Sequence, residues 1–338
     1  MEKIARRASL SVIYEGADIS ADIADMVKSF SVTDNAHGQA DDLEITVHDR
    51  DSLWIADWFP DQGAELRANI VCHNFLERGQ EVEIPCGTFV IDELDVTGPP
   101  GEMTIRGVSS TVKSSLRREE KSRSWEEADL ETIAGDISGE HGLGLDYEAP
   151  GISYDRVDQR KESDLSLLKR LSEDAGLKIK VAERKIIIFD AKEFDAKEAT
   201  ISYSKKDLVS WQMDTRAHDV FKACKVQYWD PAGKELHTFV FEPPHAPDVG
   251  QVLKINKRVD SEAKAEELAR AEIRRRNESQ TTGDLEIMGD PRLYAGNNLA
   301  LDDFGALSGT YFIQQVRHRY SRGSGLETAV QIRRTLEY

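Results

Sequence analysis

Hydrophobic and polar residues alternate along the first third of the chain. Leu10, Val12 and Tyr14, then Val27, Phe30 and Val32, then Leu43, Ile45 and Val47 follow the short period of strands with one buried face, which predicts strands over 8–14, 26–34 and 43–49. Residues 66–76 and 82–97 continue the pattern, and the 53–59 segment before them carries Trp54 and Trp58. Such strands, joined by short turns with no helical crossover, predict an antiparallel barrel or sandwich.

The period changes in the middle. Ala128, Leu130, Ile133, Ala134 and Ile137 make one face of a helix over 125–138, with Gly139 as its stop. Ser163 is a good N-cap, Asp164 stands where the helix dipole favours negative charge, and Leu165, Leu168, Leu171 and Ala175 follow at helical spacing up to Gly176. Two strands over 177–181 and 185–189 complete a helix-plus-hairpin module. Strands return within 200–230, and a turn over 230–233 precedes another at 235–241. Residues 243–247 read as a stiff loop. Ser261 opens a helix over 261–277, with Ala263, Leu268, Ala271 and Ile273 on its apolar side. Arg274, Arg275 and Arg276 end it, either as cations suited to the dipole or as contacts for DNA or an acidic neighbour. The helix is expected against the outside of the second barrel.

The same landmarks occur twice in one order. Asp42-Leu43-Glu44-Ile45, Gly63, Leu66, Gly87-Thr88-Phe89-Val90-Ile91 and Leu94 return as Asp284-Leu285-Glu286-Ile287, Gly296, Leu299, Gly309-Thr310-Tyr311-Phe312-Ile313 and Val316. Each copy then passes a glycine-containing turn (98–101; 323–325) and a strand-like run (103–107; 328–332). The expected fold is mainly β, with two antiparallel β-barrel domains related by internal duplication and a small α/β module between them. The expected boundaries are 1–112, 113–198 and 199–338. The ring-building strands are expected to be those carrying Gly87, Thr88, Phe89 and Ile91, and Gly309, Thr310, Tyr311 and Ile313.

Composition narrows the chemistry. No run of ~18 apolar residues suits a membrane helix, and the start reads as a first strand rather than a secretory signal. In the 338 residues, 44 basic against 62 acidic side chains leave a net charge of -18. That balance argues against sequence-reading DNA binding, which depends on Lys and Arg displacing counterions. An acidic wall instead lets a polyanion slide past, so acidic residues are expected to line any channel.

Cys72, Cys86 and Cys224 are too few and too scattered for a disulfide scaffold. Cys72, His73 and Cys86 lack the paired spacing and the fourth ligand of a zinc site. Glu162, Asp164, Glu173 and Asp174 read as helix caps and solvent charges rather than as a glycosidase pair. His218, Asp219 and Cys224 lack a nucleophile motif. No catalytic residue, cofactor or metal is expected. The basic 113–123 stretch, with Arg117, Arg118, Lys121 and Arg123, reads as a solvated linker or domain edge.

One stretch carries a family resemblance. Asp158-Gln159, Glu162-Ser163-Asp164-Leu165, Leu168, Arg170-Leu171 and Gly176 resemble the Gln-x-x-Glu-Ser-Asp signature, with its following Arg-Leu and Gly, of the phage late control protein D family. Gly309-Thr310-Tyr311, Ile313, Val316, His318, Gly325 and Thr328 are similar to that family's closing strands. The family supplies the central baseplate hub of contractile tails and is similar to the hub portion of the VgrG spike proteins of type VI secretion. The resemblance implies a homotrimer in which each chain gives two tube-like barrels. The pseudo-sixfold ring so formed joins a sixfold tail tube to a threefold spike and continues the tube channel.

Implied partners are other copies of the chain, a separate central spike protein, the tail tube or tube-initiator protein, other baseplate proteins and the tape measure protein. DNA is expected only as transient cargo, and no membrane anchoring is expected. The place of action is a virion tail baseplate or tail-like particle assembled in the bacterial cytoplasm. The 158–176 segment is expected as a helix that braces one barrel against the next. The competing reading is a cell-wall-directed tail enzyme or carbohydrate-binding tail component, with Trp54 and Trp58 as a sugar-stacking platform.

Overall fold

The computed structural model describes residues 5–338 apart from 110–113, 183, 217, 219, 231–234, 245–249 and 260. Its first unit comprises β1 (Arg7–Tyr14), β2 (Ala17–Asp18), helix α1 (Ser20–Ile23), β3 (Val27–Asn35), β4 (Asp42–His48), β5 (Glu65–His73), β6 (Glu81–Thr97) and β7 (Glu102–Ser109). They form a curled sheet in the order β3-β4-β7-β6-β5-β1-β2, with every pairing antiparallel. The alternation in the sequence is the pleat of these strands: Val12, Phe30, Ile45, Val47, Leu66 and Ile105 turn to one side and close a core with Trp54. Each such side chain contributes about 1.5–3 kcal/mol by leaving water.

The middle of the chain has its own core. It holds α2 (Ser114–Arg118), β8 (Glu120–Asp129), α3 (Leu130–His141), β9 (Gly144–Glu148), β10 (Ser153–Ser163), α4 (Asp164–Asp174), β11 (Leu177–Ala182), β12 (Lys185–Asp190) and α5 (Ala191–Asp195). β8 and β10 form a ribbon, and β12 lies between β11 and β9.

Three expectations change here. The helix predicted over 125–138 starts only at Leu130, because extended Asp129 caps it by accepting from the Thr132 amide at 2.7 Å. It passes Gly139 and stops at His141, before the left-handed Gly142. The 158–176 segment is not one helix, since 158–163 finish β10 and Ser163 caps a helix that begins at Asp164. The basic 113–123 stretch is no linker where it is described, because 114–118 are helical and 120–123 begin β8.

The last unit comprises β13 (Ile201–Ser204), β14 (Ser210–Thr215), β15 (Phe221–Asp230), β16 (Glu235–Phe241), β17 (Gln251–Val259), α6 (Glu262–Asn277), β18 (Thr281–Ile287), β19 (Asn298–Asp302), β20 (Gly309–Ser321) and β21 (Gly325–Arg334). β14-β18-β21-β20-β19 repeat the antiparallel arrangement of the first unit, and β13 adds to β19 in parallel. Between β14 and β18 the chain makes a separate small sheet, β16-β15-β17. Helix α6 packs on that sheet through Ala265, Leu268, Ala269 and Ile273 rather than on the barrel, and Ala263 of its predicted apolar side is exposed. The turn at 231–233 and residues 245–247 lie outside the described residues.

The repeat is present in the pairing itself. The Gly63 and Gly296 amides donate to the Ile91 and Ile313 carbonyls at 2.8 and 2.9 Å, and these isoleucines donate back to Ala64 and Asn297 at 3.0 and 2.9 Å. Each isoleucine precedes the same bulge: Ile91 faces Gly107 and Glu93 faces Arg106, as Ile313 faces Ile332 and Gln315 faces Gln331. One correspondence moves. Leu43 and Ile45 sit opposite Gly107 and Ile105, the places where Gly283 and Leu285 sit opposite Ile332 and Val330. The two Asp-Leu-Glu-Ile blocks are therefore out of step by two residues, a slip that a two-residue period hides because every side chain keeps its face.

Candidate functional site

The two barrels meet edge to edge. β20 carries β21 along one side, while its other side meets β19 over 309–312 and β3 over 315–321, with Gln315 opposite Asn35 and Ser321 opposite Ser29. This seam makes one continuous sheet of both units. Phe30 stacks on Tyr320 at 4.9 Å, Arg317 Nε donates to Thr33 Oγ1 at 3.0 Å, and His318 Nδ1 lies 3.0 Å from Thr328 Oγ1. Burial holds His318 down at about 4, so it is neutral at neutral pH.

Each seam strand has a twin that lacks such a partner. By the shared bulge, 93–97 of β6 corresponds to 315–319 of β20, and among the described residues only β7 flanks it, on one side. Trp211 of β14 sits opposite Leu285 as Phe30 of β3 sits opposite Ile45, and β14 pairs only with β18 among the described residues. The exposures follow. Phe30 is 2% and His318 3% exposed, whereas Trp211 is 44%, Val96 49% and Val209, beside β14, 61% exposed. Among the described residues these two edges, with their apolar side chains, stay bare, each offering unpaired backbone groups to another strand.

The resemblance residues Gln159 and Asp164 gather in one network. The Asp164 carboxylate is fully buried: Oδ1 accepts from Arg123 Nη2 at 2.8 Å and Gln159 Nε2 at 2.9 Å, and Oδ2 lies 2.7 Å from Lys121 Nζ and 2.8 Å from His141 Nε2. Burial alone would raise its pKa. The hydrogen bonds from Lys121, His141 and Gln159, with the Arg123 charge, outweigh it and hold the carboxyl at about 2. Glu140 shares both cations. Glu140, His141 and Asp164 are also spaced as metal donors, but Lys121 and Arg123 already supply the countercharge.

The remaining motif residues surround this centre. Arg170 donates to Glu162 Oε1 at 2.6 Å and to the Asp158 carbonyl at 3.2 Å, while the Asp158 carboxylate meets Arg156 and Arg160. Leu168 and Leu171 are in the core with Leu167, and Leu165 is half-buried. Gly176 is required where it stands, since its φ is +75° and a Cβ there would meet the Ala271 Cβ at 2.6 Å. It lets the end of α4 touch α6.

A second junction was not legible in the sequence. Lys180 pairs with Asp34 at 2.9 Å, and the other Asp34 oxygen accepts from the Ala295 amide at 2.8 Å, so one carboxylate holds the α/β unit, the first barrel and the second together. Lys178 reaches Glu278 at 2.8 Å, and the Gly38 amide donates to the Ile179 carbonyl at 3.1 Å. Burial raises neighbouring Asp41 to about 6 although Lys180 lies beside it. Lys178 and Lys180 alternate with Leu177, Ile179 and Val181, a pattern that reads as a solvent face because nothing local reveals the facing barrel.

Other candidates take definite places. Arg274 turns inward to Asp195, which also holds fully buried Arg333 at 2.9 Å, whereas Arg275 pairs with Glu272 on the surface. Burial pushes Cys72 and Cys86 up to about 12 and Cys224 to about 11, far from thiolate character at neutral pH. Asp219 lies outside the described residues. Trp54 and Trp58 meet edge-on, with ring centres 5.7 Å apart and Trp54 in the core, so they present no flat platform.

This architecture is a phage tail-protein fold. It superposes on the 43 kDa tail protein of prophage MuSo2 from Shewanella oneidensis with a TM-score of 0.73 at 13% identity, covering 96% of this chain and 98% of that one. It also superposes on an E. coli type VI secretion component with a TM-score of 0.58 at 12% identity, covering 91% and 73%. The chain belongs to the phage tail baseplate hub (GPD) family, whose model matches residues 112–324. It is 29% identical over 232 residues to the probable baseplate hub protein of Escherichia phage P2, which covers 67% of this chain and 56% of that relative. The match thus spans little more than half of the phage P2 protein.

Proposed function

We propose that this chain is a structural baseplate hub of a contractile phage tail or related injection system. It assembles as a homotrimer whose barrels close a pseudo-sixfold ring between the tail tube and a threefold spike, with the channel continued through it. The observation that carries the reading is the match between the filled seam and the two bare edges. If the contact between chains copies the seam, β14 of one chain runs beside 93–97 of the next. That register sets Met213 against Val96 and Arg216 against Glu93, and covers Trp211. It also sets Asp95 against Asp214, with the Arg106 that already binds Asp95 as countercharge. The contact is head-to-tail, the type from which a closed ring is built, and closure removes both exposed edges. Three chains, and so six barrels, come from the family resemblance.

In the same reading the Asp164 network keeps the brace rigid and Asp34 fixes the angle between barrels. The net charge of -18 suits a lumen past which DNA slides, so acidic residues are proposed to line it. The spike, tube, other baseplate proteins and tape measure protein are the proposed partners, in the baseplate of a particle built in the bacterial cytoplasm. The test is the mass in solution together with electron-microscopic class averages. Trimeric rings with six similar lobes are expected, and Val96→Asp should give monomers that melt like the parent. A protein that stays monomeric even with its spike partner added would overturn the ring.

A further inference from the structure

The first barrel contains a cavity of about 500 Å³ between its sheet, α1 and the 53–61 segment. Val12, Ile45, Leu66 and Ile105 make an aliphatic wall. Trp54 also lines it and is 4% exposed, as part of the barrel core. Asp22, Asp57 and Asp61 line the solvent side, all exposed and all of one charge. Beside them Ile55, Trp58 and Phe59 are 52%, 39% and 53% exposed. The second barrel fills its core with bulky side chains of its own, Tyr203, Leu293 and Phe304.

We infer that this cavity receives a short segment of a partner protein that inserts one large apolar side chain and carries Lys or Arg next to it. The apolar group takes the aliphatic wall, and the cation meets the three carboxylates. A saccharide fits less well, because the aliphatic wall offers its hydroxyl groups nothing to bond. The inference stands without the ring, since none of these residues lies on 93–97 or on β14.

The test is selection of short random peptides displayed against the purified protein, followed by titration of a synthesised winner. Enrichment of a large apolar residue flanked by Lys or Arg is expected. The winner should bind about fivefold more weakly to Trp58→Ala, whose exposed ring lines the cavity. It should also weaken several-fold for D57N/D61N, with more effect at low salt than at high. Both variants should melt like the parent and keep its oligomeric state, which separates this result from the fate of the hub reading. Winners without cations, equal affinity for all three proteins, no enrichment, or binding of chitotriose in place of peptide would each overturn it.

Discussion

β20 from its start and β6 from Gly87 onward are built alike, with a Gly-Thr-aromatic run, an isoleucine that exchanges two hydrogen bonds with the preceding strand's entry, and then a bulge. After the bulge their surroundings part. Residues 315–321 run beside β3, so His318 and Phe30 are sealed, while 93–97 have β7 on one side and, among the described residues, no strand on the other, so that Val96 stands in the open, as does Trp211 on the twin of β3. The comparison teaches that exposure here belongs to neighbours and not to strand type. An apolar side chain at a bare edge of one copy marks a contact that the other copy has already made within the chain.

The sharpest way to break that comparison is to strike the two kinds of edge and see where the loss falls. Phe30→Ala, in the seam, should cost about 3–5 kcal/mol of folding stability, read by denaturant unfolding. A loss of similar size, about 3–5 kcal/mol, is expected for Asp164→Ala, which strands Lys121, Arg123 and His141 around an empty place. A stability close to that of the parent would remove Asp164 from the brace. Trp211→Ala, on the bare edge, should instead leave folding within about 0.5 kcal/mol and weaken association by about 2 kcal/mol, measured by sedimentation. If it unfolds the chain as Phe30→Ala does, the edge is not a free contact surface.

The smallest effects concern pH, and they have opposite signs. Asp164 is held at about 2, below the ordinary carboxylate value, so its stabilisation is present above about pH 4 and fades as pH falls toward 2. Asp41 is raised to about 6, so ionising it costs stability as pH climbs from about 4 to 6, with no further change above. Asp41→Asn should flatten the 4 to 6 portion of the stability curve, by up to about 2 kcal/mol, and leave the acid limb alone. A curve that keeps its slope there would place the titration elsewhere.

Much of helix α4 was legible because its signals are local. Ser163, Asp164, Leu168 and Leu171 stand at cap, dipole and core positions that a few neighbouring residues define, whereas the close approach at Gly176 is to distant Ala271. What local spacing concealed was direction. Residues 125–129 have a helical apolar spacing, yet Asp129 captures the Thr132 amide and starts the helix after them. Lys121 and Arg123 read as solvated charge, yet Asp164, 43 and 41 positions later, draws them inward. Arg274 reads as a cation at a helix end and instead meets Asp195 in the interior.

By itself the sequence determined the strand faces, the Ser163 and Ser261 caps, the duplicated barrel and the family. Each of these rests on residues a few places apart or on a pattern repeated in order. Only the tertiary structure decided the two-residue offset between the repeats, the seam between β3 and β20, the Asp34 junction and which twin strands remain bare. The physical reason is that strand pairing is a contact between distant segments. Backbone groups bond without regard to side-chain identity, and a slip of two leaves every face unchanged, so register and partner are settled only when the whole sheet packs.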